Sequence, residues 1–379
     1  MERRLELDAA RGLMLLWITL THLPTIASVY VNQPFGFFSA AEGFIFLSAL
    51  FTGRIYFRVA TRDGLEAMKH KLGLRTLRLY SYHALLMLAT FVVAVPIAVR
   101  GNRPGLHNLL DYYFAVGPVH AGVDAALLVY RPPLLDILPM YIIFLLLTGF
   151  VLTLALRVGW KIVLGGSFAL WLLAQIGLRQ ITYGWMTHLG VSIPLNEMGS
   201  FDLWAWQFLW MLGLWFGVRW AKNDLNLSGW ARKLTIPAVL VVGLFLALRY
   251  LVGNGVELGR LEVNFDKWHL GGVRLLDFSA FAILLIRAQS FAKTLAVRPL
   301  VMLGQSSLQV FCAHLFFCFF GLTMMGSAPM VSGWRQILLL ALTFSALFFT
   351  AKIFAKPEKM PSREKIAAPV PSRAGILAS

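Results

Sequence analysis

Long apolar segments recur along most of the chain, and their length decides which kind of fold it can adopt. A helix needs about 20 apolar residues to cross the hydrocarbon layer of a bilayer. About ten such runs follow one another, at 7–29, 34–54, 79–99, 133–156, 160–178, 202–220, 234–252, 272–288, 299–322 and 336–354. Because hydrocarbon offers backbone groups no hydrogen bonds, runs of this length form helices. With 58% hydrophobic and 14% charged residues, the sequence predicts an all-α, polytopic membrane bundle.

Lys and Arg residues gather in alternate connections between these runs, as expected for loops that stay in the cytoplasm. The connection from Arg54 to Arg78 holds seven of them, and the connections around 157–161, 219–233 and 287–298 are also basic. This pattern predicts that both termini face the cytoplasm, and we call the opposite end of the bundle the outer end. Topology then explains the net charge of +16, and a nucleic-acid partner is not expected.

The chain is predicted to form one transmembrane domain over residues 1–355, followed by a tail over residues 356–379. The tail combines Pro, Lys and Ser with few large apolar side chains, so we expect it to be disordered in the cytoplasm. Cys312 and Cys318 lack the paired spacing of a zinc site or a disulfide framework. Neither a metal nor a permanently bound cofactor is expected.

Arg11 and His22 both lie in the first apolar run, LDAARGLMLLWITLTH. Ionisable residues inside a bilayer cost roughly 2.5–3.5 kcal/mol or more, and they usually face a bundle interior where they pair or take part in chemistry. Eleven positions separate the two, which is three helical turns plus about 20°, so they share a face. Their axial separation is roughly 16 Å, about half the hydrocarbon thickness. The face of the helix that carries both residues, here called the α1 stripe, therefore extends from the inner boundary of the membrane, at Arg11, to its outer half, at His22.

Glu42 is the ionisable residue of the second run, between Pro34 and Gly53. Because the link between the first two helices is short, Glu42 should lie at a depth near that of His22. A carboxylate in that place orients an imidazole and raises its basicity. We therefore assign Glu42 to the catalytic pair with His22. The alternative is a structural glutamate that binds neighbouring backbone.

Four more ionisable residues are expected at the same outer depth, where each could bind substrate or serve only the structure. They are Asp136, Arg274, Asp277 and His314. Arg274 and Asp277 are three positions apart and could neutralise each other. Asp136 follows two prolines and could cap a helix, and His314 could be a buried structural histidine. Their convergence on one depth is what favours a site.

The motifs that the sequence lacks narrow the chemistry. It contains no Gly-rich phosphate loop ending in Lys-Ser or Lys-Thr, no H-E-x-x-H and no G-x-S-x-G. A buried histidine with carboxylates nearby suits general-base deprotonation of a hydroxyl. Arg11 and neighbouring basic residues could hold an anionic donor at the cytoplasmic end.

The spacing of Arg11 and His22 behind LDAARG resembles the first-helix signature of the acyltransferase-3 superfamily of membrane O-acyltransferases. Supporting segments are GFIFLSAL, RTLRLYSYH and LGQSSLQVFCAH, while PPLLDILPMY and WHLGGVRLLDF resemble the OpgC branch, which succinylates osmoregulated periplasmic glucans. The resemblance covers residues 5 to about 350. Ala9 and Ala49 depart from it, since the wider family usually has Gly at the first position and often at the second.

This resemblance implies an enzyme of the bacterial inner membrane. His22 would be the catalytic base, and Arg11 would help to bind the acyl-CoA donor, succinyl-CoA. The acyl group would cross the membrane plane within the protein and reach a hydroxyl of a periplasmic glucan. Membrane lipid would surround the bundle.

Other functions stay open at this point. Intramembrane Asp, Glu and His are equally expected of a proton-coupled transporter or flippase for a sugar or a lipid-linked substrate. The same enzyme class could use acetyl-CoA, and a non-catalytic scaffold is a weaker option. If the acyl group is succinyl, its carboxylate needs a cation, for which Arg274 and Lys267 are candidates.

Overall fold

The structure, a computed structural model, describes residues 4–101, 103–225 and 227–355. Within these ranges the chain is helical and contains no β-strand. The α-helices, numbered in chain order, are α1 Leu5–His22, α2 Ile26–Val31, α3 Ala40–Asp63, α4 Leu65–Ala89, α5 Val95–Arg100, α6 Pro104–Leu109, α7 Asp111–Ala126, α8 Ile137–Val158, α9 Trp160–Gln175, α10 Leu178–His188, α11 Leu203–Ala221, α12 Leu227–Gly253, α13 Gly272–Arg287, α14 Gln289–Thr294, α15 Arg298–Gln305, α16 Ser307–Met325 and α17 Trp334–Phe354. A π-helical turn, Thr90–Ala94, joins α4 to α5. The tail predicted to be disordered, 356–379, lies outside the described residues.

Each predicted apolar run falls on a helix, which confirms the all-α membrane bundle. Six helices of the described chain are long and apolar enough to cross a membrane, namely Ala40–Asp63, Leu65–Gly101, Ile137–Val158, Gly229–Gly253, Ser307–Met325 and Trp334–Phe354. α9 and α10 add a seventh if they form one span broken by a bend of 82°. α13, with 16 residues, is shorter than the usual span of about 20. The count of ten spans and the cytoplasmic position of the termini therefore stay predictions.

The basic segment after the second apolar run is helical, which the predicted boundaries missed. α3 continues to Asp63 instead of ending near residue 54, and α4 begins at Leu65 instead of residue 79. Gly64 alone separates the two helices, with a φ of 89° that glycine adopts at little cost. Because Lys and Arg are good helix formers, the basic residues extend the helices instead of ending them.

α1 packs against α15 through close approach of the two backbones. A Cβ atom on Gly12 would lie 2.1 Å from the carbonyl oxygen of Leu300, and one on Gly304 would lie 1.8 Å from that of Asp8. Small residues at such crossings let membrane helices pack tightly. Since α16 follows α15 after Ser306, this contact also sets where α16 lies beside α1.

Side chains of α11 connect the centre of the bundle to the outer end. Trp206 and Trp210 are fully buried. Trp210 donates its indole N–H to Thr148 of α8 at 3.1 Å, and Trp206 donates to the backbone oxygen of Trp268 at 3.1 Å. Each buried indole thus has the polar partner that it needs. α11 thereby fixes the segment before α13 that borders the site described next.

Candidate active site

Two histidines contact each other inside the bundle, one at the end of α1 and one on α16. Nδ1 of His22 lies 3.3 Å from Nε2 of His314, and the stacked rings have centroids 5.5 Å apart. His314 is buried, and its Nδ1 lies 2.9 Å from the backbone oxygen of Phe311. His22 itself is half-buried. His314 is therefore the hydrogen-bond partner of His22.

This chain of hydrogen bonds fixes the tautomer of both neutral rings. A carbonyl oxygen only accepts, so Nδ1 of His314 carries the hydrogen and donates to Phe311. Nε2 of His314 is then an acceptor, and Nδ1 of His22 donates to it. Nε2 of His22 is left with a lone pair. The same logic, with a carboxylate as acceptor, orients the base of a Ser-His-Asp triad.

The carboxylate of Glu42 has other partners than the predicted imidazole. One oxygen accepts from Arg274, at 2.8 Å from Nε and closer still from Nη2. The other accepts from the backbone N–H and the hydroxyl of Ser39, at 2.9 and 2.7 Å. Glu42 and Arg274 are both 0% exposed. The expectation that Glu42 orients His22 is thus corrected, because a capping box and a buried ion pair occupy its carboxylate.

Asp277 binds backbone; among the described residues it forms no ion pair with Arg274, although the two charges interact at longer range. Its Oδ2 accepts from the N–H groups of Phe37, at 2.6 Å, and Phe38, at 3.4 Å. The carboxylate lies so close that a Cβ atom on Gly36 would be 2.2 Å from it, and the φ of Gly36, 126°, also requires glycine. Asp277 therefore holds the chain that leads into α3.

Asp136 also binds a neighbouring backbone instead of capping its own helix. Its Oδ2 accepts from the N–H of Ser200 at 3.0 Å, and its side chain makes no capping bond to α8. The cap at this end belongs to Asp202, which accepts from the N–H of Trp204 at 2.9 Å and begins α11. Asp136 thus ties the start of α8 to the start of α11.

Arg11 lies at the other end of the α1 stripe and also contacts α16. Its Nη2 donates to the hydroxyl of Ser307 at 2.6 Å. Between this contact and the histidine pair lie aromatic rings, with Arg11 over Phe44 at 6.0 Å, Phe44 and Phe311 at 6.3 Å, and Phe311 and His314 at 4.9 Å. Arg11 and His22, both on α1, therefore both contact α16, and aromatic side chains lie between the two contacts.

An ion pair lies in the outer segment that precedes α13. Asp266 and His269 are in direct side-chain contact. This hydrogen bond raises the pKa of His269 although burial opposes it. Burial also opposes ionisation of Asp266, yet the hydrogen bonds from His269 and from the Trp268 N–H hold the pKa of Asp266 below its usual range.

A local sequence pattern does predict one of the contacts of Glu42. Ser39-Ala-Ala-Glu42 is a capping-box pattern, and it predicts the bonds between these two residues that the structure contains. The pairing of Arg274 with Glu42 and of Ser307 with Arg11 had no comparable local signal, because the partners lie in distant parts of the chain.

The fold defines a helical membrane protein in which ionisable side chains from several helices are buried within the bundle. A family model described as OpgC protein matches residues 3–359, and the chain belongs to this family. Membership indicates a membrane transferase that modifies osmoregulated periplasmic glucans. A search of curated proteins and a search of solved structures each gave no match. The wider likeness to acyltransferase-3 enzymes stays a prediction.

Proposed function

We propose that this protein is an O-acyltransferase of the bacterial inner membrane that moves a succinyl group from cytoplasmic succinyl-CoA to a hydroxyl of a periplasmic glucan. The observation that carries the proposal is the His22–His314 pair, because it leaves Nε2 of His22 as an oriented base. Family membership supports the glucan as acceptor.

The reaction needs one proton acceptor and no covalent intermediate on the protein. Nε2 of His22 takes the proton of the glucan hydroxyl as its oxygen attacks the thioester carbon. The new C–O bond forms, the C–S bond breaks, and the proton on His22 passes to the departing CoA sulfur. His314 accepts from Nδ1 of His22 throughout, so it stabilises the positive charge that His22 carries for part of the cycle.

The donor is assigned to the region along α1 and α16 between Arg11 and His22. The Arg11 guanidinium provides positive charge for the phosphates of CoA. Phe44 and Phe311 provide the apolar surface along which the thioester arm extends to the histidines. Arg274, Asp136 and Asp277 hold neighbouring segments together through the contacts given above.

The purified protein in proteoliposomes, supplied with succinyl-CoA and periplasmic glucan, tests the base. Thiol release that depends on added glucan measures transfer. His22→Gln should lower the rate about 10²–10⁴-fold, the usual worth of a general base. His188→Gln, a change at an exposed position at the end of α10, is the matched control and should leave the rate unchanged. Near-normal transfer by folded His22→Gln would contradict the proposal.

His314 is tested as the positioning residue for His22. His314→Gln keeps an acceptor oxygen for Nδ1 of His22, whereas His314→Leu removes it. The Gln variant should therefore be faster than the Leu variant, by about tenfold if a hydrogen bond to a charged group is lost. Equal rates, at equal thermal stability, would show that this hydrogen bond does not assist the base.

The same preparation separates the proposal from the alternatives. Uptake of labelled glucan or lipid-linked sugar without any CoA thioester would favour a transporter or flippase. Mass spectrometry of the product distinguishes a succinyl from an acetyl group by the mass gained at each modified hydroxyl.

A further inference from the structure

The outer segment 266–270 is held rigidly against α9 and α11. Its last three carbonyl oxygens each accept a side-chain hydrogen bond. The Trp268 oxygen accepts from Trp206 at 3.1 Å, the His269 oxygen from Gln175 at 2.9 Å and the Leu270 oxygen from Trp171 at 3.0 Å. These hydrogen bonds hold the backbone of the segment in place beside α9 and α11.

Lys267 belongs to this segment, and it lies near His22. The residue is half-buried, and its ammonium lies 4.8 Å from the Trp268 ring centroid. It is near enough to His22, Glu42 and Asp136 to interact with them electrostatically. Burial lowers the pKa of Lys267, as expected for a cation that lacks full hydration.

The carboxylates near Lys267 are engaged with other donors. Glu42 accepts from Arg274 and Ser39, and Asp136 accepts from Ser200. Among the residues that the structure describes, no carboxylate forms an ion pair with Lys267. Arg274, the other candidate cation, is 0% exposed and bound to Glu42. Of these two candidate cations, Lys267 is the one whose charge an incoming anion can use.

We infer that Lys267 is the specificity-determining residue that binds the free carboxylate of a dicarboxylic acyl group. The inference rests on the proposed function, since it concerns the acyl group that His22 transfers. In a succinyl thioester, two methylene groups separate the carboxylate from the reacting carbon, so a cation beside the base meets the far end of the group. A butyryl thioester has the same number of carbons and leaves the ammonium without a counter-charge.

Competition between succinyl-CoA and butyryl-CoA, supplied together with glucan to the proteoliposomes, tests this role. The ratio of the two products gives the ratio of their kcat/KM values, and it does not depend on how much of a variant is folded. Wild type should prefer succinyl. Lys267→Met should lower the preference about 10- to 100-fold, the value of a lost charge-assisted bond. Lys267→Arg should keep most of the preference, and Lys161→Met, at an exposed position on α9, should keep all of it.

The possible results separate the two proposals. If Lys267→Met slows both transfers and leaves the ratio unchanged, Lys267 acts on the shared thioester or on the fold, and the inference is wrong. A wild type that uses the two donors equally also overturns it, while the general-base function stands. A wild type that modifies no glucan with any CoA thioester overturns the proposed function itself.

Discussion

Replacing Glu42 by Leu should destabilise the protein, because a buried guanidinium then loses its counter-charge. Arg274 donates to Glu42 from two nitrogens, and both side chains are 0% exposed. Removing one partner of such a pair typically costs about 3–5 kcal/mol. Ser39 also loses its capping-box partner, which adds roughly 0.5–2 kcal/mol. The expected loss is therefore at least about 3 kcal/mol.

Removing both charges together should cost much less than the two single changes added together. Replacing a buried ion pair by apolar residues of similar volume is often neutral or stabilising. Glu42→Leu, Arg274→Met and the double variant form a cycle in which the loss of the cap appears on both sides and cancels. The interaction energy between the two positions should therefore exceed the loss in either single variant, so it should be about 3 kcal/mol or more.

Thermal unfolding of the four proteins in detergent, followed by tryptophan fluorescence, measures these differences. Each single variant should melt about 5 °C or more below wild type, and the double variant should melt above either single variant. A double variant that loses the sum of the single losses refutes the reasoning. If Glu42→Leu keeps the wild-type Tm but loses transfer, Glu42 acts in the reaction, as its place in the sequence first suggested.

Two further predictions follow from the packing and from the outer ion pair. Gly304→Val places a Cβ 1.8 Å from the Asp8 carbonyl oxygen and should lower the Tm sharply. The control Gly165→Val, at a helical glycine where a Cβ would meet nothing within 4 Å, should melt near wild type. Equal Tm values for the two variants would show that the packing of α1 against α15 does not need this contact. The raised pKa of His269 means that its pair with Asp266 stabilises below the ordinary histidine value of about 6.5 and loses this effect as the pH rises through the raised value. Asp266, with a lowered pKa, contributes above about 3.9 and loses its effect as the pH falls through the lowered value. The Tm difference between wild type and Asp266→Asn should therefore be larger at about pH 5.5 than at about pH 8; a difference that does not depend on pH would contradict the pair.

Local patterns in the sequence were sufficient to predict where helices form, but not where each helix begins and ends. Apolar length predicts a helix wherever about 20 such residues follow one another. Each run in this chain is helical, although 7–29 and 299–322 are each divided between two helices. The start of α4 at Leu65 was missed because a basic segment can be either a loop or a helix. Only the packing of neighbouring helices decides between them.

The burial of the candidate residues was predictable from the sequence, but not which of them contact each other. Because burying an ionisable group is costly, Glu42, Arg274 and His314 are expected to have a structural or catalytic role. Which of them bind each other depends on the order of helices around the bundle, and hydrophobic periodicity contains no such information. The predicted Glu42–His22 pair relied on depth alone, and depth does not distinguish His22 from Arg274.

The Glu42–Arg274 pair also has a consequence for how the chain is made. The two residues are 232 positions apart, so at 5–20 residues per second Glu42 is synthesised about 10–50 s before its partner. During that interval Ser39 is the nearest group able to satisfy the carboxyl. A chain that stops before α13 would keep an acidic group in the membrane without its cation, and quality-control proteases could distinguish such fragments from finished copies.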